Sequence, residues 1–465
     1  MNQPQTRRLH ADRIRVYARS MNSIFEQALE DIKNLPKPIA IIGLGASGES
    51  ASALLKTCGC RDQDMILFDE KSPRAQIQSW NDLLAAGPKS IVLSPGVPLL
   101  TPSLQTLIQK GIPVISEVAL GLKFVTNEVT IGITGSLGKS TTAALVGAAL
   151  HDGDSDVFVG GNFGVPVTEF ARLKFEGRKH PRSLVIELSS YQLELPLGRK
   201  LDWSVFSYFA PNHLERYPDL NAYYTAKYAL VAQTQRGVFL NQESSELVEY
   251  FKHKKTKESS PGNARLHWVS SDAKDPRFVR AKLLGAHNRQ NMSLATALVQ
   301  AIISEQLPHD SWDFLKAINE FPGLPHRLEN LGVHHQLQWI NDSKATALDS
   351  VRTAIATCLS EIPDGSRLWV LLGGKDKKLP WSDMSYLRDI KQIQAVFFGE
   401  SRELIAQTSG VSGESFPKLE QAVQYCRLHA RPGDWVLLSP GGTSLDEFKN
   451  FEQRGEFFKS LAMKS

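Results

Sequence analysis

The sequence lacks the features that mark zinc-binding, membrane-spanning or secreted proteins. Its four cysteines, Cys58, Cys60, Cys358 and Cys426, do not stand at the spacing of zinc ligands. We therefore expect reduced, mostly buried thiols in a cytoplasmic protein. No apolar run reaches the ~18 residues that a transmembrane helix needs. The polar N-terminus also lacks the apolar core of a signal peptide.

Charge and composition exclude further classes of protein. The net charge of +4 at pH 7 is too small to indicate a nucleic-acid partner. Neither an internal repeat nor a low-complexity tract is present, and 42% hydrophobic residues are ordinary for a globular protein. At 465 residues the chain is too long for a single core, so we expect two or three domains.

Residues 1–36 form an extension before the first predicted domain. Apolar side chains at helical spacing between Ser20 and Ile32 predict a helix that ends before Leu35 and Pro36. The simplest interpretation is a helix packed on the first domain, and binding of a partner protein is the alternative.

A nucleotide-binding βαβ pattern begins at Pro38. The apolar strand of PIAIIGLGASGES runs into a G-x-G-x-x-G loop that starts at Gly43, and the next strand, MILFDE, ends at Asp69 and Glu70. In such units the loop glycines approach a phosphate and the acidic residue binds a ribose. The glycine pattern alone is weak evidence, and the acidic strand end strengthens it.

The most specific motif is GITGSLGKSTT, between Gly132 and Thr142. A predicted buried strand precedes it and a predicted helix follows it. Backbone N–H groups would therefore face an anion, while Lys139 neutralises charge and Ser140 ligates Mg²⁺. The first glycine lies one position earlier than in the generic phosphate loop. The resulting motif, G-x-x-G-x-x-G-K-S, is therefore more specific than the generic one. The alternative is a glycine-rich turn that follows a strand by chance.

Strands and helices alternate along the rest of the chain, which predicts an α/β fold with mostly parallel sheets. Later strands are expected in SLVIELSS, DWSVFSYF, GVFLN, QLQWIND, RLWVLLGG, AVFFGE and DWVLLSP.

Polar clusters follow the phosphate loop, and each also has an ordinary structural explanation. Glu187 ends a strand, where an acid can hold Mg²⁺ opposite Ser140 or cap the next helix. His213 and Lys227 come next, although a lone histidine more often packs in the core and a helical lysine is usually solvated. Two further clusters contain His287, Asn288 and Asn291 (GAHNRQN) and Asp342, Lys344 and Thr346 (NDSKAT).

Together and in this order, these motifs resemble those of the Mur ligase family, from Pro38 to the C-terminus. The most specific matches are GITGSLGKST, GGNFG at 160–164, ELSSYQLE, GLPHRLE, NDSKAT, LLGGKDK and SPGGTSLDEFKNFEQRG. The last motif and the LPHR-to-NDSKAT segment are most similar to the branch that adds D-glutamate to UDP-N-acetylmuramoyl-L-alanine. The resemblance implies a Rossmann-like UDP-substrate domain (37–125), a central P-loop ATPase-type domain (126–320) and a Rossmann-like amino-acid domain (321–465).

The resemblance also implies a role for each matching residue. One Mg²⁺ would be held by Ser140 and Glu187, and a second by His213 and Lys227, the latter as an N-carboxylated lysine. Lys139, Glu187, His213 and Lys227 would be catalytic. ATP would be bound by Gly135, Gly138, Lys139, Ser140, Thr141, Asn291, Arg327, Asp342 and Lys344. The UDP-linked substrate would be bound by Gly45, Ala46, Ser47, Gly48, Asp69, Glu70, Lys71 and Asn162. The amino acid would be bound by Thr346, Lys377, Ser444, Leu445 and Phe451.

The implied reaction activates a carboxylate with ATP as an acyl phosphate, which the amine of the incoming amino acid then attacks. Lys139 and two Mg²⁺ ions would neutralise the phosphoryl oxygens, and no covalent enzyme intermediate is needed. The expected partners are these small substrates alone, with neither nucleic acid nor a membrane, and the expected state is a monomer.

Four positions depart from the family pattern. Leu137 replaces the usual Asn of the phosphate loop, and Asn212 replaces an Asp before the metal-binding histidine. The run 441–443 (Gly-Gly-Thr) replaces Ala-Cys-Ala, and Ala347 replaces an Asn. We interpret the last two as neutral, because the pocket residues themselves are retained.

The alternatives are a ligase for another amino acid such as L-glutamate, and a nucleotide-binding homologue without catalysis. A nicotinamide-dependent dehydrogenase would rest on the Gly43 loop alone and would leave the phosphate loop unexplained.

Overall fold

The computed structural model describes residues 23–151, 156–212, 216–254, 263–272, 274–307 and 313–464. Within these residues, helices and strands alternate and the strands form three sheets. The predicted α/β fold class is confirmed. Among the described helices, none is long and apolar enough to cross a membrane.

The first sheet follows an N-terminal helix, α1 (residues 23–33). Its strands are β1 (Ile39–Ile42), β2 (Met65–Phe68), β3 (Ser90–Leu93) and β4 (Val114–Ser116). All neighbours are parallel, in the spatial order β2-β1-β3-β4. The helices that accompany them are α2 (Ala46–Thr57), α3 (Trp80–Ala86), α4 (Pro102–Gln109) and α5 (Glu117–Leu122).

The second sheet has six strands, all parallel to their neighbours. They are β5 (Val129–Thr134), β6 (Val157–Gly161), β7 (Ser183–Glu187), β8 (Leu201–Phe206), β9 (Thr234–Asn241) and β10 (Arg265–Val269). Their spatial order is β10-β9-β8-β5-β7-β6. The helices are α6 (Lys139–Leu150), α7 (Val167–Phe175), α8 (Leu220–Ala232), α9 (Ser245–His253) and α10 (Ala286–Glu305). The central strand β5 is buried along its whole length, as expected for a parallel strand covered on both faces.

The third sheet is parallel except at one edge. Its strands are β11 (Glu329–His334), β12 (Leu337–Asn341), β13 (Leu368–Gly373), β14 (Ile393–Phe398), β15 (Gly413–Phe416) and β16 (Trp435–Gly441). Their order is β11-β12-β16-β13-β14-β15, and β11 is antiparallel to β12. The helices are α11 (Phe314–Glu320), α12 (Leu348–Glu361), α13 (Arg402–Ser409), α14 (Leu419–His429) and α15 (Phe451–Met463).

Contacts divide the chain into two compact units. The first unit contains the described residues up to 271 together with 291–314, and the second contains 272–290 and 315 onward. The first two sheets therefore belong to one unit, and one apolar core runs through both. The division of the chain into three functional domains stays a prediction.

The N-terminal helix α1 packs on the first unit, in line with the simpler of the two interpretations of the extension. The ring of Phe25 meets Phe124 edge-on with centroids 5.9 Å apart. Asp31 accepts a hydrogen bond from Lys123 at 2.5 Å. Residues 20–22 of the predicted helix lie outside the described residues.

Candidate active site

The phosphate loop joins β5 to α6, as its sequence predicts. Two of its glycines adopt positive φ, 150° at Gly135 and 81° at Gly138. A Cβ at Gly138 would lie 2.5 Å from the side-chain oxygen of Asn291, and one at Gly135 would lie 2.1 Å from Ser207 Oγ. Positive φ therefore favours glycine at both positions, and a side chain at either one would displace Asn291 or Ser207.

Lys139, Ser140 and Thr141 form the first turn of α6, and Gly138 occupies the N-cap without a side-chain cap. Such a helix start presents backbone N–H groups and a positive dipole end, the arrangement that binds phosphate. The amine of Lys139 donates to the carbonyl oxygen of Ser136 at 2.9 Å. The predicted phosphate-binding side chains thus stand together at the end of the central strand.

Glu187 lies at the carboxyl end of β7, next to β5 in the sheet. It is 2% exposed, and its Oε1 accepts a hydrogen bond of 2.8 Å from the Asn162 side chain. Its other oxygen, Oε2, is buried without a hydrogen-bond partner among the described residues. Because an unpartnered buried carboxylate oxygen is costly, this atom fits a role as a metal ligand.

Lys227 projects from α8 and is buried, with 1% exposure. Its amine donates to the carbonyl oxygen of Gly135 at 2.7 Å and lies 4.7 Å from the centre of the Tyr223 ring. Burial and the charge of Lys139 hold the pKa of Lys227 well below its usual value, and Glu187 opposes that shift. The structure therefore brings Lys139, Glu187 and Lys227 within electrostatic reach of one another.

His213 lies outside the described residues, so its role as a ligand of the second metal stays a prediction. Among the residues that are described, no group of three His, Cys, Asp or Glu side chains could hold a metal. Two of the four predicted ligands, the Ser140 hydroxyl and a carboxylated Lys227, are of other chemical types.

Two hydroxyl groups around the phosphate loop were not predicted from the sequence. Ser136 Oγ accepts hydrogen bonds from the backbone of Ala210 at 3.0 Å and from the hydroxyl of Tyr223 at 3.1 Å. Asn291, which was predicted, accepts a hydrogen bond of 3.1 Å from Thr142. The helix spacing of Tyr223 and Lys227, four residues apart on α8, could have identified the tyrosine.

Apart from Asn162, which follows β6 in the second sheet, the predicted UDP-substrate residues lie at the carboxyl ends of β1 and β2. Gly45 is the N-cap of α2, with Ala46, Ser47 and Gly48 in its first turn. A Cβ at Gly48 would stand 1.9 Å from the carbonyl oxygen of Gly43. Gly48 therefore permits close contact between helix and strand, while Gly45 and Ala46 are exposed.

Asp69 organises the backbone of this loop. Its carboxylate accepts backbone hydrogen bonds from Leu44 at 2.8 Å, and from Lys71 and Ser72 at 2.9 Å each. The bonds from Leu44 and Lys71 lower the pKa of Asp69. The side chains of Glu70 and Lys71 are exposed beside it.

The second unit holds the remaining predicted ATP residues around the carboxyl end of β12. Asp342 accepts hydrogen bonds from Ser439 Oγ at 2.9 Å and from the Leu328 backbone at 3.2 Å. Burial raises its pKa to about 7, and these bonds together with the charge of Arg327 oppose the shift. Lys344 stands 5.0 Å from the centre of the Phe451 ring.

The predicted amino-acid residues lie in loops of the same unit. Thr346 is half-buried before α12, Lys377 is exposed after β13, and Phe451 begins α15. Ser444 is buried and Leu445 is 64% exposed in the loop after β16.

A buried arginine that the sequence did not single out joins two of these loops. Arg454 on α15 is fully buried, and its guanidinium donates to Ser343 Oγ at 3.0 Å, to the Ser343 carbonyl at 2.8 Å and to the Gly442 carbonyl at 3.2 Å. Burial lowers its pKa to about 10. Arg454 therefore holds the NDSKAT loop against the loop that contains Ser444.

Two departures from the family pattern have a structural account. Leu137 is fixed through its backbone, since its N–H donates to Tyr208 at 3.3 Å and its carbonyl accepts from Ser207 Oγ at 2.5 Å, while its side chain is 57% exposed. At Gly442, a Cβ would stand 2.5 Å from the Gly373 carbonyl oxygen. Nothing in the structure explains Ala347.

Two stretches of the chain match models of known domain families. Residues 133–299 match the family model of the Mur ligase middle domain, and residues 326–442 match the model of the Mur ligase, glutamate ligase domain. Two relatives bear the name UDP-N-acetylmuramoylalanine--D-glutamate ligase. The one from Myxococcus xanthus is 31% identical, covering 91% of this chain and 97% of its own, and the one from Haemophilus influenzae is 32% identical, covering 92% and 98%.

Solved structures share the fold at low sequence identity. MurF from Acinetobacter baumannii has a TM-score of 0.58 at 14% identity, covering 94% of this chain and 98% of its own. MurF ligase from Thermotoga maritima, solved in complex with ADP, has a TM-score of 0.52 at 13% identity, covering 87% and 96%.

Proposed function

The chain belongs to the Mur ligase family, and on that basis we propose that it joins D-glutamate to UDP-N-acetylmuramoyl-L-alanine at the expense of ATP. The observation that supports this most directly is the group formed by Lys139, Glu187 and Lys227 around the phosphate loop. The cation of Lys139 suits the ATP phosphates, the unpartnered oxygen of Glu187 suits a metal ion, and the lowered pKa of Lys227 favours its uncharged amine.

The residues of the first unit would activate the acyl donor. The α6 N-terminus and Lys139 bind the ATP phosphates. Asn162, which donates a hydrogen bond of 2.8 Å to Glu187, orients the muramoyl substrate near them. The substrate carboxylate attacks the γ-phosphorus, ADP leaves, and an acyl phosphate forms. The amine of D-glutamate then attacks the acyl carbon, and phosphate leaves with formation of the amide.

Mg²⁺ fits this site, because Glu187 Oε2 has no partner among the described residues and Ser140 begins the neighbouring helix. When bound, Mg²⁺ would neutralise the phosphoryl oxygens during the transfer. Ser140 and Glu187 would hold one ion, and His213 with Lys227 a second.

Lys227 is suited to carboxylation on its amine. Its lowered pKa favours the uncharged amine, whose nitrogen can attack CO₂ with formation of an N–C bond and release of one proton. The product is a carbamate, which replaces a cation with hard oxygen ligands that suit Mg²⁺.

In the second unit, Asp342, Arg327 and Lys344 would contact ATP, while Thr346, Lys377, Ser444, Leu445 and Phe451 would bind the amino acid. We further propose that the enzyme acts as a monomer in the cytoplasm, where ATP and UDP-linked precursors are available.

The test is an assay of phosphate release by the purified protein with ATP, UDP-N-acetylmuramoyl-L-alanine and each glutamate enantiomer. We expect release with D-glutamate, and none when the UDP-linked substrate is omitted. Release with L-glutamate alone would establish the ligase for another amino acid, and absence of ADP formation with every amino acid would establish a non-catalytic homologue.

A further inference from the structure

Arg216 makes an unusually complete set of contacts in the first unit. Its guanidinium pairs with Glu194 through two bonds, Nε to Oε1 at 3.0 Å and Nη2 to Oε2 at 2.6 Å. Nη1 donates to the carbonyl of Pro95 at 3.0 Å, and Nη2 donates to that of Val97 at 3.3 Å. The group also lies 3.9 Å from the centre of the Tyr191 ring. Its side chain is only 10% exposed.

On one side, these contacts lead to the predicted UDP-substrate loop. Pro95 and Val97 follow strand β3 of the first sheet, and the neighbouring Ser94 donates through its hydroxyl to the Gly43 carbonyl at 2.7 Å. Gly43 precedes the α2 N-terminus, where Gly45 and Gly48 stand. A shift of Pro95 therefore moves the surface that is predicted to bind the UDP group.

Through Glu194, the contacts of Arg216 also lead to Glu187, the carboxylate that is predicted to bind a metal ion. Glu194 ends a short 3₁₀ turn, Gln192–Glu194, in the second sheet's connection after β7. The side-chain oxygen of Gln192 accepts a hydrogen bond of 2.9 Å from the Ser189 backbone. Ser189 follows Glu187 closely in the chain, so this turn fixes the end of β7.

We propose that Arg216 is a positioning residue that sets the UDP-substrate loop of the first sheet against the Glu187 end of the second. Four of its five N–H donors are engaged within the protein, so its main action is through these loops and not by binding the diphosphate itself. The inference rests on the proposed function, because it concerns where the UDP-linked carboxylate arrives relative to Glu187. Bidentate geometry and stacking on Tyr191 both require an arginine, which lysine cannot replace.

The experiment compares Arg216→Lys, Glu194→Gln and the double variant with the wild-type protein. Each single change should raise KM for UDP-N-acetylmuramoyl-L-alanine about 10-fold and lower kcat, because a charged hydrogen-bonded pair is broken. The Kd of a non-hydrolysable ATP analogue should stay within about twofold. The double variant should have the same KM and kcat as the single variants, because both changes break the same Arg216–Glu194 pair.

Arg236→Lys is the matched control, since Arg236 pairs with Asp202 at 3.4 Å near the beginning of β9, at the opposite end of the strands. Arg236→Lys should leave unchanged both the KM for UDP-N-acetylmuramoyl-L-alanine and the Kd of the ATP analogue. Equal weakening of the ATP analogue, with a lowered melting temperature, would overturn the proposal in favour of a general structural role. Unimpaired substrate affinity in Glu194→Gln would overturn it in favour of direct binding by Arg216. If the wild-type protein does not turn over the UDP-linked substrate, the proposed function fails instead.

Discussion

The amine of Lys227 donates a hydrogen bond of 2.7 Å to the carbonyl oxygen of Gly135, which joins helix α8 to the phosphate loop. The lysine is buried beside Lys139, and both conditions disfavour its charged form. The lowered pKa favours the uncharged amine, which is a nucleophile, and this property underlies the first prediction.

Incubation with ¹³C-labelled bicarbonate should give a carbamate NMR signal that disappears in Lys227→Arg. The guanidinium cannot form this adduct, so kcat should fall by about two to three orders of magnitude. Lys123→Arg, which alters a lysine paired with Asp31 in the first unit, should retain both the signal and the activity. A full signal in Lys227→Arg would assign the carbamate to another residue.

Replacing Glu187 by glutamine should abolish the response to Mg²⁺ without unfolding the protein. The amide keeps the contact to Asn162 but removes the charge at an oxygen that has no described partner, so kcat should fall about 100-fold or more. Activity is measured against Mg²⁺ concentration, and unfolding by circular dichroism. Glu169→Gln, which breaks an ion pair with Arg172 on α7, should leave the Mg²⁺ response intact. Wild-type kcat in Glu187→Gln would show that this carboxylate is no metal ligand.

The buried strands and the glycine loops could be predicted from the sequence because their apolar runs and turn residues are local signals. The strands that were not predicted are β4, β6, β10, β11 and β15, and each lies at an edge of its sheet. An edge strand is half-exposed, as the pattern of β10 shows, so it lacks the continuous apolar run of a central strand.

The site could be predicted where a motif lies on one loop, and not where partners come from distant segments. Lys139 follows β5 through the phosphate loop and Glu187 ends the adjacent strand β7, a placement that the α/β pattern implies. Arg216 and Arg454 are positioned by contacts with carbonyl groups, which leave no signature in sequence. Asp69 was expected to bind the UDP-linked substrate, and that contact stays a prediction; its oxygens accept three backbone hydrogen bonds, which the sequence did not indicate.

Alanine should be tolerated at Gly45 and not at Gly48. A Cβ at Gly45 meets nothing within 4 Å, whereas one at Gly48 would overlap the Gly43 carbonyl oxygen at 1.9 Å. Gly48→Ala should therefore cost about 1–3 kcal/mol of unfolding free energy, measured in urea. Gly45→Ala is the matched control, and equal stability of the two variants would contradict the close helix–strand contact.

Leu137→Asn should strengthen ATP binding without changing stability. Tyr208 and Ser207 fix the backbone of residue 137 through hydrogen bonds, and its exposed side chain is not part of the apolar core. A new amide beside the phosphates should lower KM for ATP about 2- to 10-fold. Leu137→Ala separates the effect of the amide from that of removing leucine. A weaker affinity in Leu137→Asn would show that the apolar side chain itself contributes to the site.

Asp342 should make the stability of the protein depend on pH in a way that Asp342→Asn does not. Burial raises its pKa to about 7 in the folded state, against about 3.9 in an unfolded chain. Between these values the unfolded state releases a proton that the folded state retains, so wild-type stability falls as pH rises, and above about 7 the loss is complete. The asparagine variant cannot ionise and keeps an acceptor for the Leu328 N–H.

Urea unfolding at about pH 5 and about pH 8 should therefore show that the variant gains free energy of unfolding relative to wild type at the higher pH. Asp364→Asn, at an exposed loop position, should show no such change. Parallel stabilities of wild type and Asp342→Asn at both pH values would mean that Asp342 is already ionised at the lower one.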